Sequence, residues 1–376
     1  MANLLDYLFW RGDLPISARF PWNEQDNLVM ARLSYLPLEL IELGDGRPIR
    51  DVCEEIKSLP KEAYHFREDP KLCEALIDCE RLGDLFVSDF VQYTGEQEEQ
   101  FAAVTIHLPN KEMYLSFRGT DQTLVGWKED FNMAFSTHIP SQKEALRYVQ
   151  LIARKFPHEM MRLGGHSKGG NVAMYAALYM PERFKARVLE VLSFDGPGFL
   201  SEIMEENKDN AVIDRFRIYI PQESIVGLLL EMSVTPTIVL SENKNIHQHN
   251  IYNWQMDRHG FMRSEGITKG SLIMDETLKD WLEKTSPEQR QVFVDELFEV
   301  ISATNAGTVR EFGAGILKNL PLLLRGYRQI SEEDRKTIMD MLMLFGKSYF
   351  GAFRSIRKQN TEKVQEAEEQ DGMVTE

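Results

Sequence analysis

The stretch Met161-Arg-Leu-Gly-Gly-His-Ser-Lys-Gly-Gly-Asn-Val-Ala173 decides the fold that we predict for this chain of 376 residues. It joins a short apolar run to a serine with glycines on both sides, Ser167, and then to the start of an alanine-rich helix. A turn that leads directly from a strand into a helix is so tight that only small residues fit around its central residue. Such a turn holds the serine hydroxyl at the end of a sheet, beside helix N–H groups that stabilise negative charge. We therefore interpret Ser167 as a catalytic nucleophile.

A serine hydroxyl needs a base, and that base is normally oriented by a carboxylate. When the nucleophile stands on a strand-to-helix elbow, the chain order is serine, acid and then histidine. Two acids lie at the ends of predicted strands after Ser167, and they are Asp195 and Glu223. The histidines that follow the elbow are His247, His249 and His259. The sequence thus supplies a complete set of candidates in the required order, with the acid and the base each left open.

Predicted strands and helices alternate around the elbow. The β-type runs are residues 101–108, 112–117, 161–163, 187–194 and 215–220, and Pro109-Asn-Lys111 joins the first two as a hairpin. Helical patterns separate the later runs, and such alternation implies parallel pairing with helical crossovers. We therefore predict an α/β fold of the α/β-hydrolase type, with a mostly parallel sheet flanked by helices.

Four parts are predicted along the chain: a mostly helical N-terminal segment, the α/β core, a helical C-terminal region and a disordered acidic tail. Their boundaries are residues 1–95, 96–275, 276–358 and 359–376. Ser286 and Ser331 begin capping sequences for two C-terminal helices. The apolar stripe of the second helix is expected to pack on the sheet or on a protein partner rather than on a membrane.

The net charge of −16 argues against nucleic acid as a partner, because an acidic surface repels phosphate backbones. It also disfavours docking on anionic lipid, although a local basic patch can escape that average. Three cysteines without metal-type spacing fit a reducing compartment. The N-terminus lacks the pattern of a secretory signal, and no apolar window is long enough for a transmembrane segment, so a cytoplasmic protein is expected. No metal or organic cofactor is implied.

A family resemblance strengthens this interpretation. Phe117-Arg-Gly-Thr120, followed by Trp127 and Asp130 and then by Gly165-His-Ser-Lys-Gly-Gly170, resembles the class 3 (fungal-type) lipases. The pattern is most similar to a bacterial branch, the Mbeg-like proteins, which are described only as hydrolases without an assigned function. The features shared with that branch are Asp6–Asp13, Asp26–Leu36, Phe194–Phe199 and Gln248-His249 with Trp254, so that the resemblance spans roughly residues 4 to 300.

The resemblance implies a role for each site residue. Ser167 is then the nucleophile and His249 the base, and the backbone N–H groups of Thr120 and Lys168 form the oxyanion hole. The place of the lipase aspartate is taken by Glu223. The resemblance therefore implies Glu223 as the acid, with Asp195 as the alternative.

Three further expectations concern neighbouring groups. Arg118 and Asp130 are expected to form an ion pair that fixes the oxyanion turn, because a buried charge is tolerated only when paired. The Lys168 side chain is expected to be solvated on the first helical turn, with attraction of an anionic substrate head group as the alternative. Residues 225–232 are apolar, and they fit a lid or acyl-binding wall as well as plain core.

Together these residues predict a serine hydrolase that cleaves an acyl ester of a small molecule, with lipids among the candidate substrates. Two other functions remain open. One is thioesterase or peptidase activity with the same triad, since fold and triad do not fix the leaving group. The other is a non-catalytic hydrolase-fold protein that binds a protein partner through its C-terminal helices.

Overall fold

A computed structural model describes residues 2–95, 99–120, 124–302, 321–325, 327–328 and 330–373. Its centre is one sheet of eight strands whose spatial order follows the chain. The strands are β1 (Arg47–Pro48), β2 (Phe86–Gly95), β3 (Glu99–Leu108), β4 (Glu112–Phe117), β5 (Met160–His166), β6 (Val188–Phe194), β7 (Phe216–Pro221) and β8 (Thr237–Val239). Strands β1 to β4 pair antiparallel, and β4 to β8 pair parallel. The α/β-hydrolase-like fold predicted from the sequence is confirmed.

The predicted hairpin between β3 and β4 is also confirmed. Ala103 pairs with Phe117 and Leu108 with Glu112, and Asn110 and Lys111 turn the chain with φ angles of 63° and 58°. The N-terminal segment, for which mostly helices were expected, contains the strands β1 and β2 beside the helices α1 to α4. Strand β2 shares a long antiparallel register with β3, so the sheet extends into the N-terminal segment.

Helices cover both faces of the sheet. The helices before the elbow are α1 (Leu4–Arg11), α2 (Glu24–Leu33), α3 (Ile49–Lys57), α4 (Asp69–Ile77), α5 (Leu124–Asn132) and α6 (Pro140–Lys155). Those after it are α7 (Lys168–Tyr179), α8 (Glu182–Lys185), α9 (Ser201–Glu206), α10 (Lys269–Glu283), α11 (Pro287–Ser302) and α12 (Glu332–Met373). The side chains of β4 alternate between the two faces, as a strand requires. Tyr114 joins the core built with the N-terminal helices, whereas Met113 and Leu115 join the core built with α6 and α7.

The described residues of the C-terminal region include the end of α10 and the helices α11 and α12. The two expected caps are present: Ser286 Oγ accepts from the Gln289 N–H at 3.3 Å, and Ser331 Oγ accepts from the Asp334 N–H at 3.0 Å. Helix α12 continues to Met373, whereas an acidic disordered tail was predicted from residue 359. The difference has a simple reason, since this stretch is rich in glutamate and glutamine, which are good helix formers.

The described helices include none that is long and apolar enough to cross a membrane. The three cysteines, Cys53, Cys73 and Cys79, are buried and unbridged.

Candidate functional site

Ser167 stands at the elbow between β5 and α7 in a backbone conformation that few side chains adopt. Its φ and ψ are 58° and −136°, and only 8% of the residue is exposed. A non-glycine residue in such a region costs on the order of 1–3 kcal/mol, so the surrounding structure must impose the conformation. Such strained residues cluster at functional sites.

The glycines around Ser167 explain how the turn closes. A Cβ added at Gly165 would lie 2.5 Å from the Phe117 carbonyl oxygen, and one at Gly169 would lie 2.2 Å from the same atom. Real Cβ atoms do not approach backbone this closely, so β4 and the elbow pack together only through bare glycine backbone. The glycines predicted to flank the turn are therefore required by the neighbouring strand as well as by the turn itself.

His249 lies beside the elbow and is paired with Asp195. The Nδ1 of His249 is 2.6 Å from Asp195 Oδ2, and the backbone carbonyl of His249 accepts a hydrogen bond of 2.7 Å from His166 Nε2. The rings of His166 and His249 are 4.4 Å apart between centroids. The histidine is thus held next to the residue that precedes Ser167. Because Asp195 occupies Nδ1, Nε2 is the nitrogen that remains to accept a proton.

Asp195 is itself held firmly. It follows β6 with a φ of 52°, and its N–H donates to the Tyr219 carbonyl at 2.7 Å. Its Oδ1 accepts hydrogen bonds from Ser224 Oγ at 2.5 Å and from the Gly227 N–H at 3.1 Å. One carboxylate oxygen is therefore anchored, and the other is left for the imidazole. This arrangement orients a histidine in the way that a catalytic triad requires.

Glu223 lies elsewhere, so the expected pairing of this residue with His249 is corrected. Its carboxylate accepts from the Asn245 N–H, and its own N–H donates to Gln248 Oε1 at 2.9 Å. The next residue, Ser224, donates to Asp195, so the segment after β7 lies at the site while the Glu223 side chain is held by Asn245.

The histidine chosen from the family pattern is the one that the structure brings to Asp195. His247 and His249 were expected to share a face of an extended segment, but Asn245–His249 is a 3-10 helix. Residues two apart do not share a face of such a helix, and His247 is exposed while His249 is half-buried. Of these two histidines, only His249 is directed to Asp195.

The turn that was expected to carry an oxyanion donor, Arg118-Gly119-Thr120, lies at the end of β4. Thr120 Oγ1 donates to the Asp130 carboxylate, with both oxygens at 2.6 Å. The predicted ion pair between Arg118 and Asp130 is wrong: Arg118 contacts Glu39 at 3.1 Å and the Ser34 and Leu36 carbonyls. Arg118 therefore joins the turn to the segment after α2.

Tyr35 connects this turn to the elbow, and the sequence did not single it out as a functional residue. Its hydroxyl accepts from the Gly119 N–H at 3.0 Å and lies within hydrogen-bond distance of the His166 carbonyl, at 3.1 Å, and of His166 Nδ1, at 3.2 Å. Burial lowers the pKa of His166 well below its usual value, and the neighbouring His249 lowers it further. His166 is therefore neutral, and it donates from Nε2 to the His249 carbonyl. The only sequence signal for Tyr35 was its place in a segment shared with the Mbeg-like proteins.

Lys168 is buried rather than solvated, which corrects the expectation for its side chain. Its Nζ is 2.6 Å from Glu129 Oε2 and 3.2 Å from the Gln100 carbonyl, and both members of the pair are at most 1% exposed. Glu129 also accepts from the Ser141 N–H at 3.0 Å. The ion pair therefore links the first residue of α7 to α5 directly behind the nucleophile, and a solvated lysine could not do so.

Asp130 provides a pH-dependent test of the turn. Burial raises the pKa of its carboxyl to about 6, and Lys168 partly opposes that rise. Because this folded-state pKa exceeds the value of about 4 in an unfolded chain, the protonated form favours folding, and stability falls as pH rises from 4 to 6. We expect Asp130→Asn to gain stability over the wild type as pH rises through this window, by at most about 3 kcal/mol at pH 7.

Urea unfolding of both proteins at pH 4.5 and pH 7 measures this difference. A difference that is the same at the two pH values would contradict the prediction. Asp275→Asn is a matched control, since Asp275 forms a surface pair with Lys279 on α10.

The segment 225–232 packs around Asp195. Its Gly227 donates to the carboxylate, and Glu231 exchanges two backbone hydrogen bonds of 2.8 Å with Phe199. Most of its side chains are half-buried. Its position supports the acid, and its use as a lid or acyl-binding wall remains a prediction.

Within the described ranges, no cluster of histidine, cysteine, aspartate or glutamate side chains is placed to hold a metal ion.

The chain is similar to one protein family and to several solved lipases. A model of the Mbeg1-like family matches residues 76–299, which include the elbow, Asp195 and His249. No curated protein matches the sequence.

Several solved lipases share part of the architecture. A triacylglycerol lipase described as having a serine protease triad at its catalytic centre is 13% identical, with 61% of this chain and 82% of that chain covered and a TM-score of 0.39. The Lip2 lipase from Yarrowia lipolytica is 11% identical, with 68% of this chain and 89% of that chain covered and a TM-score of 0.35. The lipase–propeptide complex of Rhizomucor miehei is 15% identical, with 59% of this chain and 70% of that chain covered and a TM-score of 0.35. At these identities and TM-scores the likeness carries no conclusion about this chain.

Proposed function

Because this chain belongs to the Mbeg1-like family, and the matched region contains the elbow and the histidine–aspartate pair, we propose that it is a serine hydrolase that cleaves acyl esters. Ser167, His249 and Asp195 form its triad. The observation that carries the proposal is the 2.6 Å contact between His249 Nδ1 and Asp195 Oδ2, beside a strained serine. Asp195 replaces Glu223 as the acid, on the ground of that contact.

In the proposed reaction, His249 Nε2 removes the hydroxyl proton of Ser167 as its oxygen attacks the acyl carbonyl. The tetrahedral intermediate collapses, and the leaving alcohol takes that proton from His249. Water, activated by the same imidazole, then attacks the acyl-enzyme and releases the carboxylic acid and the free serine. Throughout, Asp195 holds the imidazole in the tautomer with Nδ1–H and stabilises the imidazolium.

The negative charge that develops on the acyl oxygen needs donors. We assign this role to the backbone N–H groups of Thr120 and Lys168. Lys168 is the first residue of α7, and N–H groups at a helix start have no partner within the helix. Each such donor is worth about 3 kcal/mol of barrier. The Thr120–Asp130 hydrogen bond and the Lys168–Glu129 ion pair hold the two donors in place.

Labelling with a fluorophosphonate probe tests the nucleophile. We expect the wild type to be labelled at one serine, because such a probe reports a serine activated by its base. Ser167→Ala and His249→Ala should both abolish labelling. The matched controls Ser201→Ala and His247→Ala should keep it, because both of these residues are exposed outside the site.

Hydrolysis of short- and long-chain nitrophenyl esters in parallel identifies the acyl preference. An unlabelled wild type that also leaves every ester intact would overturn the proposal, and it would favour the non-catalytic interaction protein. Labelling without ester cleavage would direct attention to thioesters or peptides, which the same triad can attack.

A further inference from the structure

One segment of helix α12 carries a charge opposite to that of the whole protein, although the helix over its full length has nine acidic residues against seven basic ones. Between residues 335 and 358 only Asp340 is acidic, against six cations, in a chain whose net charge is −16. These cations are Arg335, Lys336, Lys347, Arg354, Arg357 and Lys358. The segment 335–358, which we call the basic segment, is thus a local cationic patch on an acidic molecule.

One face of the basic segment is fixed to the rest of the C-terminal region. Met341, Ala352 and Ile356 are each less than 8% exposed. Ser348 Oγ donates to Asp280 Oδ2 at 2.6 Å, and Trp281 Nε1 donates to the Met341 carbonyl at 3.1 Å. The face toward α10 is therefore defined by packing, and it fixes what the other faces present.

A second face exposes large apolar side chains in a continuous stripe. Because an α-helix turns by about 100° per residue, these side chains all fall within one sector of roughly 120°, beside the buried face. They are Met339, Leu342, Met343, Tyr349, Phe350 and Phe353, with exposures between 39% and 64%. A contiguous apolar patch on a protein surface marks an interaction site far more often than scattered single residues do.

Four of the six cations lie along the edge of this stripe, whereas Arg335 and Arg357 fall within its sector. A sector of about 40°, adjacent to the edge of the stripe formed by Met343 and Phe350, holds a row of cations. The row consists of Lys336, Lys347, Arg354 and Lys358, and Asp340 lies in the same sector. An apolar stripe bordered by a row of lysine and arginine is the pattern of helices that lie in the plane of a lipid interface. The apolar side chains enter the acyl boundary, and the cations meet anionic headgroups.

Charge complementarity selects among the occupants. A second copy would bring its own cationic row to the stripe, because a twofold contact pairs the same surface with itself. An anionic phospholipid surface instead offers negative charge for the row and apolar chains for the stripe, and polybasic segments are drawn to it. We propose that α12 docks the protein on an anionic phospholipid membrane through the basic segment, lying in the interface without crossing it.

The docking helix is linked to the candidate active site. It packs on α11, and α11 contacts α5 through the ion pair Lys128–Asp295, at 2.9 Å, and through the rings of Phe131 and Phe298, 5.7 Å apart. Helix α5 carries both Glu129 and Asp130. The docking itself does not depend on catalysis, and only the further step of taking a substrate from the membrane rests on the proposed function.

Vesicle flotation with full-length protein carrying Ser167→Ala tests the docking without hydrolysis of the lipid. We expect binding to vesicles of phosphatidylglycerol and phosphatidylcholine at low salt, and at least about tenfold weaker binding to phosphatidylcholine alone. Raising the salt concentration should weaken the binding, because exposed charges are screened.

Two double variants separate the contributions of the stripe and of the row. Phe350→Ser with Phe353→Ser should lower the partition coefficient on both kinds of vesicle by about tenfold or more. Lys347→Glu with Arg354→Glu should lower it on the anionic vesicles. The matched controls are Phe9→Ser, which changes an apolar residue that is 87% exposed, and Lys57→Glu with Lys143→Glu, which makes the same charge change at exposed lysines.

Folding and oligomeric state are measured on every variant, by thermal unfolding and by light scattering. Because the substituted side chains are exposed, unchanged melting curves are expected. If the phenylalanine variant and the lysine–arginine variant bind vesicles as strongly as their control variants do, the proposal is overturned. A dimer that the phenylalanine variant dissociates, with no vesicle binding, would overturn it in favour of a second copy.

Hydrolysis of a soluble short-chain ester by proteins that retain Ser167 keeps the two proposals apart. The stripe variant should turn over this ester at the wild-type rate. If the wild type binds vesicles but cleaves no ester, the proposed function fails while the docking stands. If it cleaves the ester but binds no vesicles, the docking fails while the hydrolase proposal stands.

Discussion

Asp195→Asn is expected to lower kcat about 10,000-fold, which is the loss that the same change causes in a serine protease triad. The carboxylate of Asp195 accepts a hydrogen bond from His249 Nδ1, whereas an asparagine amide donates one to that nitrogen. The amide therefore holds the imidazole in the wrong tautomer. His249 Nε2 is then protonated and cannot act as the base. The fold should persist, because the amide oxygen can still accept from Ser224 and Gly227, as the carboxylate does now.

Glu223→Gln is the matched control for this change. It alters one carboxylate in the same way at a residue whose hydrogen bonds go to Asn245 and Gln248. We expect kcat to stay within a few-fold of the wild type, since a glutamine oxygen can still accept from the Asn245 N–H. The measurement is kcat on the best nitrophenyl ester for both variants. A large loss for Glu223→Gln with little loss for Asp195→Asn would return the acid to the residue implied by the lipase pattern.

Lys168→Met is expected to lower the free energy of unfolding by about 3–5 kcal/mol, because it leaves the buried Glu129 carboxylate without its cation. Removing one member of a buried pair is costly, whereas removing both is often tolerated. The double variant Lys168→Met with Glu129→Gln should therefore recover most of the loss. Urea unfolding at pH 7 measures all three proteins.

Lys155→Met serves as the control for that series. Lys155 also pairs with a carboxylate, that of Asp89, but half of its side chain is exposed. Surface pairs contribute roughly 0–1 kcal/mol, so this variant should unfold almost as the wild type does. Equal losses for the two lysine variants, or no recovery in the double variant, would show that the Lys168 pair does not have the energetics of a buried one.

Features that depend on neighbours along the chain were predicted from the sequence, and features that depend on contacts between distant segments were missed. The elbow is local: a strand, a serine between glycines and a helix lie within thirteen residues, and their sterics are set by neighbours along the chain. The hairpin from β3 to β4 and the helix caps at Ser286 and Ser331 are local in the same sense. These features were predictable because each depends on residues only a few positions apart.

The acid, the lysine pair and the tyrosine bridge depend on contacts between distant segments. Asp195 and His249 are separated by 54 positions, and Tyr35 and His166 by 131. The resemblance to the lipases ranked Glu223 above Asp195, because residues along the chain do not show which carboxylate the folded chain brings to His249. Lys168 looked like a solvated residue for the same reason, since its partner Glu129 is placed by the packing of α5.

The order of the sheet bears on synthesis. Every strand pairs with the strand that precedes it in the chain, so a nascent polypeptide can add strands one by one as it leaves the ribosome, and none has to wait for a partner made much later. The proposed base is encoded after the last strand, and residues beyond it also hold the N-terminal helices, as in the contact of Arg263 with Glu24 at 2.6 Å. A truncated product can therefore build most of the sheet and still lack the proposed proton acceptor, so that activity requires synthesis to pass His249.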